Sequence, residues 1–159
     1  MSDLAIEPAG VDDVPFLKRM QWEAVLSSPW LISRYGLEAL REKEEEIWSG
    51  WPSEHEAAFV ARLPDHTNCG AIMLRAQQGR GSGIEGFRLV IAVDSTTRGQ
   101  GIGRQLLRRA REYAQAAGAS YLYLEVDPAN GRAIGLYRSE GYAEVGRAEL
   151  LSMRLELSQ

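Results

Sequence analysis

Two spacings of apolar residues divide the chain. Leu4-Ala5-Ile6 alternates into Pro8 and predicts a short first strand. From Asp12 the period lengthens: Val14, Leu17, Met20, Ala24 and Val25 recur on one helical face, with Asp12 or Asp13 as cap and Pro15 in the first turn. Ser27-Ser28-Pro29 ends that helix, because the residue before a proline resists the helical region. Trp30 to Tyr35 reads as irregular. A second helix follows over about 36–48, with Leu37, Leu40, Ile47 and Trp48 inward and Glu42, Lys43, Glu45 and Glu46 in solvent. After Gly50-Trp51-Pro52 the period becomes two, giving strands at 57–63, 70–76 and 87–93 with a turn at 64–68 and a glycine-rich hairpin loop at 79–86. The segment 99–117 returns to the helical period through Ile102, Leu106, Ala110, Tyr113 and Ala117, and Gly118 is a natural C-cap. Tyr121 to Val126 is a strand, about 130–139 a short helix, and about 142–147 and 151–157 a final pair of strands.

Chemistry concentrates at the turn between the strand 87–93 and the helix after it, Arg98-Gly99-Gln100-Gly101-Ile102-Gly103. Glycine removes the Cβ atoms that keep a phosphate away from backbone N–H groups. The first-turn N–H groups of a helix have no partner within it, and the helix dipole adds partial positive charge there. Arg98 and Arg104 flank the turn and could supply fixed charge for diphosphate oxygens. The spacing excludes a P-loop, since Gly103 is followed by Arg104-Gln105 and not by lysine and a hydroxyl residue. It also excludes a dinucleotide fingerprint, whose third glycine would fall on Leu106. Gly81-Ser82-Gly83-Ile84-Glu85-Gly86 matches that fingerprint literally but leads into a strand, so no helix N-terminus would meet the phosphates. A pyrophosphate-bearing ligand fits the first turn.

The short helix over 130–139 places Asn130, Ala133, Ile134 and Tyr137 on one face. Gly131 and Gly135 each cost roughly 1 kcal/mol relative to alanine, so packing or a ligand must support it.

The totals narrow the function classes. A chain of 159 residues suits a single domain spanning 1–159. A net charge of −4 offers no basic field, which argues against nucleic acid as a partner. Arg109 and Arg111 read as a solvated helix face. One cysteine, Cys69, allows no intrachain disulfide and agrees with a reducing cytoplasm. His55 and His66 have no partners at ligand spacing, so no metal is expected. The first residues carry no signal-peptide pattern and no apolar run reaches the ~20 residues of a membrane span, so the expectation is a cytoplasmic protein without a membrane partner.

Arg98-x-x-Gly101-x-Gly103, then Asn130-x-x-Ala133-x-x-Leu136-Tyr137 and the pair Gly141-Tyr142, resembles the acyl-CoA signatures of the GNAT superfamily of N-acetyltransferases. The order of strands and helices fits that family from residue 4 to 157. The resemblance implies a mixed α/β (α+β) fold: one twisted, mostly antiparallel sheet of about seven strands with a central parallel, splayed pair, flanked by about four helices. It places the splay between the strands 87–93 and 121–126. The pantetheine arm of acetyl-CoA would then lie against Ile91, Ala92 and Val93. The diphosphate would sit on Arg98, Gly99, Gln100, Gly101, Ile102, Gly103 and Arg104. Asn130 and Ala133 would line the pantetheine, and Tyr137 would stand near the thioester sulfur.

The implied reaction is transfer of acetyl from acetyl-CoA, as co-substrate, to a primary amine of a small molecule or peptide. The amine must lose a proton to attack; a backbone N–H, with Val93 the candidate, would receive the oxyanion, and Tyr137 would give the leaving thiolate its proton. Family members often carry a glutamate in the middle of the fourth strand, where this chain has none. Glu85 at its beginning is the candidate base, while Glu125 on the facing strand reads first as a structural partner; a water chain to either is also open. The segment 27–56 is expected to shape the acceptor pocket with Trp30, Tyr35, Trp48, Trp51, Glu54, His55 and Glu56. Aromatic rings beside carboxylates suit a cationic amine, although tryptophans in a small domain commonly serve the core. A homodimer remains possible. Rival readings are an acyl-CoA-binding module without turnover, and an acyltransferase with another acyl donor or an oxygen acceptor.

Overall fold

The computed structural model describes residues 4–51, 56–79, 83–97 and 99–157. In chain order the elements are β1 (Ala5–Pro8), α1 (Val14–Leu26), α2 (Pro29–Tyr35), α3 (Leu37–Ser49), β2 (Glu56–Arg62), β3 (Asn68–Gln78), β4 (Ile84–Val93), α4 (Ile102–Ala116), β5 (Tyr121–Val126), α5 (Gly131–Ser139), β6 (Ala143–Arg147) and β7 (Leu151–Glu156). Short 3-10 turns at Val11–Asp13 and Ser95–Thr97 lead into α1 and toward α4. The strands form one sheet in the order β1-β2-β3-β4-β5-β7-β6. Every neighbouring pair is antiparallel except β4–β5, which is parallel. This is the expected mixed sheet with its central parallel pair. The described helices number five rather than about four. None is long and apolar enough to cross a membrane.

Alternation along the strands builds two cores. Phe59, Ile72, Leu74, Phe87, Leu89, Leu122 and Leu124 face α4, whose Ile102, Leu106, Leu107, Ala110 and Ala114 are buried against them. Ala58, Val60 and Ala71 face the other way, onto Phe16, Leu17 and Met20 of α1 and Trp48 of α3. The buried stripe of α4 continues through Ala114 and not Ala117, which lies at the exposed C-cap.

Three expectations are corrected. The stretch from Trp30 to Tyr35 is helical: Pro29 ends α1 by forcing Ser28 extended (φ −112°, ψ 94°) and itself opens α2. Gly36, at φ +80°, then separates α2 from α3. Asp13 does not cap α1 with its side chain. Its carboxylate accepts from the Gly10 N–H at 2.8 Å and pairs with Arg62 at 3.0 Å, tying the start of α1 to β2. On α3, Leu37 is exposed while Glu44 is buried. Glu44 accepts from Gln21 Nε2 and Trp48 Nε1, both at 3.4 Å, between α1 and α3.

Gly86 fixes the β4–β5 contact. It stands opposite Tyr121, and a Cβ there would lie 2.5 Å from the Tyr121 ring. The ring cannot swing away freely: its hydroxyl donates to Gln77 at 3.0 Å and the Arg154 guanidinium stacks 3.9 Å from its centroid. Gly86→Ala is therefore expected to destabilise the fold by about 1–3 kcal/mol, read as a lower urea midpoint. Burial pushes the Glu44 carboxyl above its ordinary 4.5. The folded state then holds that proton more tightly than the unfolded chain, so Glu44 lowers stability as pH rises through its folded pKa. Glu44→Gln is expected to be more stable than the parent at pH 7, with the difference closing as pH falls toward 4; urea titrations across that range check it.

Candidate active site

The site begins where two strands part. Pairing between β4 and β5 covers Gly86, Phe87 and Arg88 against Tyr121, Leu122 and Tyr123. Beyond Arg88, β4 stays bonded to β3 as far as Val93 opposite Gly70, while β5 pairs with β7 along its whole length. Among the described residues, the β5-side edge of β4 from Leu89 to Val93 therefore has no strand against it. Ile91, Ala92 and Val93 are half-buried there. Ile91 and Val93 pack toward the α4 core, and Ala92 toward α1.

At the open end of β4, the Asp94 N–H donates to the Cys69 carbonyl at 2.8 Å, and Asp94 accepts from Thr96 to shape the turn. Gly99 and Gly101 both take positive φ, +86° and +76°, which L side chains rarely adopt. Gly103 is needed for a different reason: a Cβ there would lie 3.1 Å from Leu136 of α5 and 3.8 Å from Val93. Val93, Gly103 and Leu136 thus bring the end of β4, the start of α4 and the middle of α5 to one point. Gly101 is the N-cap of α4, its carbonyl accepting from Gln105. The N–H groups of Ile102, Gly103 and Arg104 have no acceptor within the helix. Gln100 is exposed on the same turn. Arg98 lies outside the described residues.

Arg104 has a different neighbour from the one its position suggested. It donates to Glu140 at the end of α5, and Arg108 donates to the same carboxylate at 3.0 Å. Burial pushes the Glu140 carboxyl up, but hydrogen bonds from Arg108 and Arg104 outweigh it and hold the group below its ordinary 4.5. At the other end of α5, Asn130 Oδ1 accepts from the Ala133 N–H at 3.2 Å as the N-cap. Cap and ion-pair brace together answer how a helix with two glycines is held. Between them Ala133, Ile134 and Leu136 pack on the core and Tyr137 is buried, 8% exposed. The Tyr137 ring lies 6.0 Å from that of Tyr142. Burial pushes the Tyr137 hydroxyl pKa up to about 12, so it keeps its proton at neutral pH.

The carboxylates separate. Glu85 sits where β4 and β5 are held together, its carbonyl accepting from the Ser120 N–H at 2.8 Å. It stands eight residues before Val93, about 26 Å at ~3.3 Å per residue, so the structure does not bring it to the turn and Tyr137. Glu125 lies two residues past the last paired position of β5. It accepts from Arg88 at 2.9 Å across the throat of the gap. Arg88 carried no assigned role in the sequence reading. The signal was its place between Phe87 and Leu89, where alternation turns it to the sheet face away from α4.

Of the residues expected around the acceptor, Trp48 is core and packs on Trp51 at 5.6 Å. Trp30 and Tyr35 meet edge-to-face at 6.2 Å within α2. Glu56 pairs with Arg75 at 3.4 Å. Glu54 and His55 lie outside the described residues.

The sheet with one splayed parallel pair, the glycine turn and the buried tyrosine define a class. The profile of the acetyltransferase (GNAT) family matches residues 20–142, and the chain belongs to that family. It is similar to an IAA acetyltransferase of Azospirillum brasilense, 41% identical over 78 residues covering 49% of this chain and 48% of that protein. It is also similar to human N-acetyltransferase 8B, 31% identical over 76% of this chain and 52% of that one. The chain thus spans about half the length of these curated relatives. A structure of spermidine N-acetyltransferase from Vibrio cholerae in complex with CoA and spermine shares the fold, with a TM-score of 0.75 at 20% identity over 96% of this chain and 95% of that one.

Proposed function

We propose that the protein transfers the acetyl group of acetyl-CoA to a primary amine by direct attack. The observation that carries this reading is the convergence of Val93, Gly103 and Leu136, which joins the open strand edge, the bare helix start and the helix bearing Tyr137. The diphosphate meets the N–H groups of 102–104, with Gly99 and Gly101 leaving the approach clear and Gln100 alongside, and the sequence motif adds the charge of Arg98 to the set. Since Arg104 is engaged by Glu140, backbone groups supply much of the attraction. The amide groups of the pantetheine arm pair with the free edge of β4 at Ile91, Ala92 and Val93, in the manner of an added strand. Asn130 and Ala133 border the arm from the start of α5.

The amine approaches from the other face of the sheet, where Glu125 lies. Its nitrogen forms a bond to the thioester carbon, and the carbon–sulfur bond breaks. The proton lost by the amine passes to Glu125 or through water to solvent. A β4 backbone N–H, that of Val93, receives the oxyanion. Tyr137, protonated at working pH, donates to the departing sulfur and recovers its proton from solvent.

Tyr137→Phe keeps the ring and its packing while removing the donor. Its kcat is expected to fall about 100-fold with acetyl-CoA affinity unchanged; a near-parental kcat in a thiol-release assay would remove the assignment. Gly101→Trp places a bulky side chain in open space at the helix start, since nothing lies within 4 Å of a Cβ there. It is expected to weaken acetyl-CoA binding at least tenfold, about 1.4 kcal/mol by calorimetry, while the positive φ costs about 1–2 kcal/mol of stability.

A further inference from the structure

We infer that the acceptor is a zwitterion, a free α-amino acid or close analogue, whose ammonium is received by Glu125 and whose carboxylate is received by Arg88. This rests on the acetyl-transfer reading above and names the acceptor for the same site.

The argument starts from where the pair lies. Arg88 is the last residue of β4 paired with β5, and Glu125 stands two positions beyond the last paired residue of β5. Phe87, Leu89, Leu122 and Leu124 are buried against α4, so Arg88 and Glu125 project to the opposite face. The ion pair, 2.9 Å long, therefore spans the narrow end of the gap on the face opposite α4, the face from which the reading above brings the amine. Both side chains are half-exposed, at 49% and 32%. An exposed pair of this kind contributes roughly 0–1 kcal/mol, so a ligand can open it at little cost.

Charge balance then selects the ligand. A simple cationic amine entering this pair would satisfy Glu125 and leave Arg88 without its counter-charge. A purely anionic acceptor would do the reverse. A molecule carrying ammonium and carboxylate a few ångströms apart satisfies both, so every charge is paired before and after binding. Among the described residues, the charged neighbours on the adjoining strands are themselves paired. Arg75 is paired with Glu56 and Arg154 with Glu156, while Tyr123 donates to Ser152 at 3.0 Å. The reaction also provides for release. The ammonium gives up one proton to become the attacking amine and a second after the nitrogen–carbon bond forms, both leaving by Glu125 and water to solvent. The carbon–sulfur bond breaks and the sulfur takes its proton from Tyr137; the ammonium charge is gone. The product is an anion, Glu125 loses its guest, and Arg88 can return to it.

The test uses the full chain with acetyl-CoA and thiol detection. Free L-amino acids are each compared with the matching amide and decarboxylated amine. The best amino acid is expected to exceed its amide and its amine at least about tenfold in kcat/KM. Arg88→Gln should lower kcat/KM for that amino acid about 10- to 100-fold, chiefly through KM, and should spare or improve the amide, so that the preference for acid over amide falls at least about tenfold. Arg88→Lys should recover part of the loss. Amides, amines or peptide N-termini turned over as well as amino acids would overturn the inference, and so would an equal loss on acid and amide in Arg88→Gln. The parent comparison needs no variant, so it decides even if the variants fold poorly. No thiol release with any amine, in a protein that binds acetyl-CoA, would instead overturn the acetyl-transfer reading on which the inference stands.

Discussion

The molecule is organised around backbone hydrogen bonds that β4 and β5 do not make to each other. A strand in the middle of a sheet ordinarily satisfies both of its edges. Here β4 gives its whole length to β3 and only its first part to β5, while β5 is taken along its length by β7. An unpaired edge of backbone is left from Leu89 to Val93, suited to a ligand that brings its own amides. The other parts of the site follow from that opening. α4 begins just past the end of β4, and α5 is held against it through Leu136 and the Glu140 brace.

Electrostatics in the site is less a matter of free cations than the arginine content suggests. Arg104 and Arg108 share one carboxylate, Arg88 another, and Arg109 lies 4.5 Å from the Phe59 ring centroid. What the described part of the turn offers is the start of α4, with glycine at 99, 101 and 103. The Tyr137 hydroxyl, the proposed proton donor, is kept neutral by burial.

Much of this architecture was legible in the sequence because it rests on local rules. Alternation and helical spacing located the strands and the long helices, and two glycines of the turn stand where positive φ demands them. The third, Gly103, was legible as part of a pattern, but its cause is tertiary: Leu136 packs where a Cβ would be. The misreadings share an origin. Pro29 carries two opposite signals, a stop for the residue before it and a start for the helix it opens, and only the first was read. Asp13 was given a local role, yet it turned to a charge brought close only by folding, Arg62. Glu85 was read at the beginning of the strand 87–93, and β4 runs from there away toward the turn, so strand direction sets the two apart.

The short β4–β5 seam has a mechanical consequence. The sheet behaves as two plates, β1–β4 and β5–β7–β6, fastened at the Gly86–Arg88 end and open at the other. From Arg88 to Val93 the lever arm is about 16 Å, so a rotation of about 5° at the seam displaces its tip by about 1.4 Å. Displacements of about 1 Å can change rates a hundredfold when reacting groups must be aligned. On the acetyl-transfer reading, the packing of Tyr121 on Gly86 at the seam is then the fulcrum for the alignment of reacting groups at the far end.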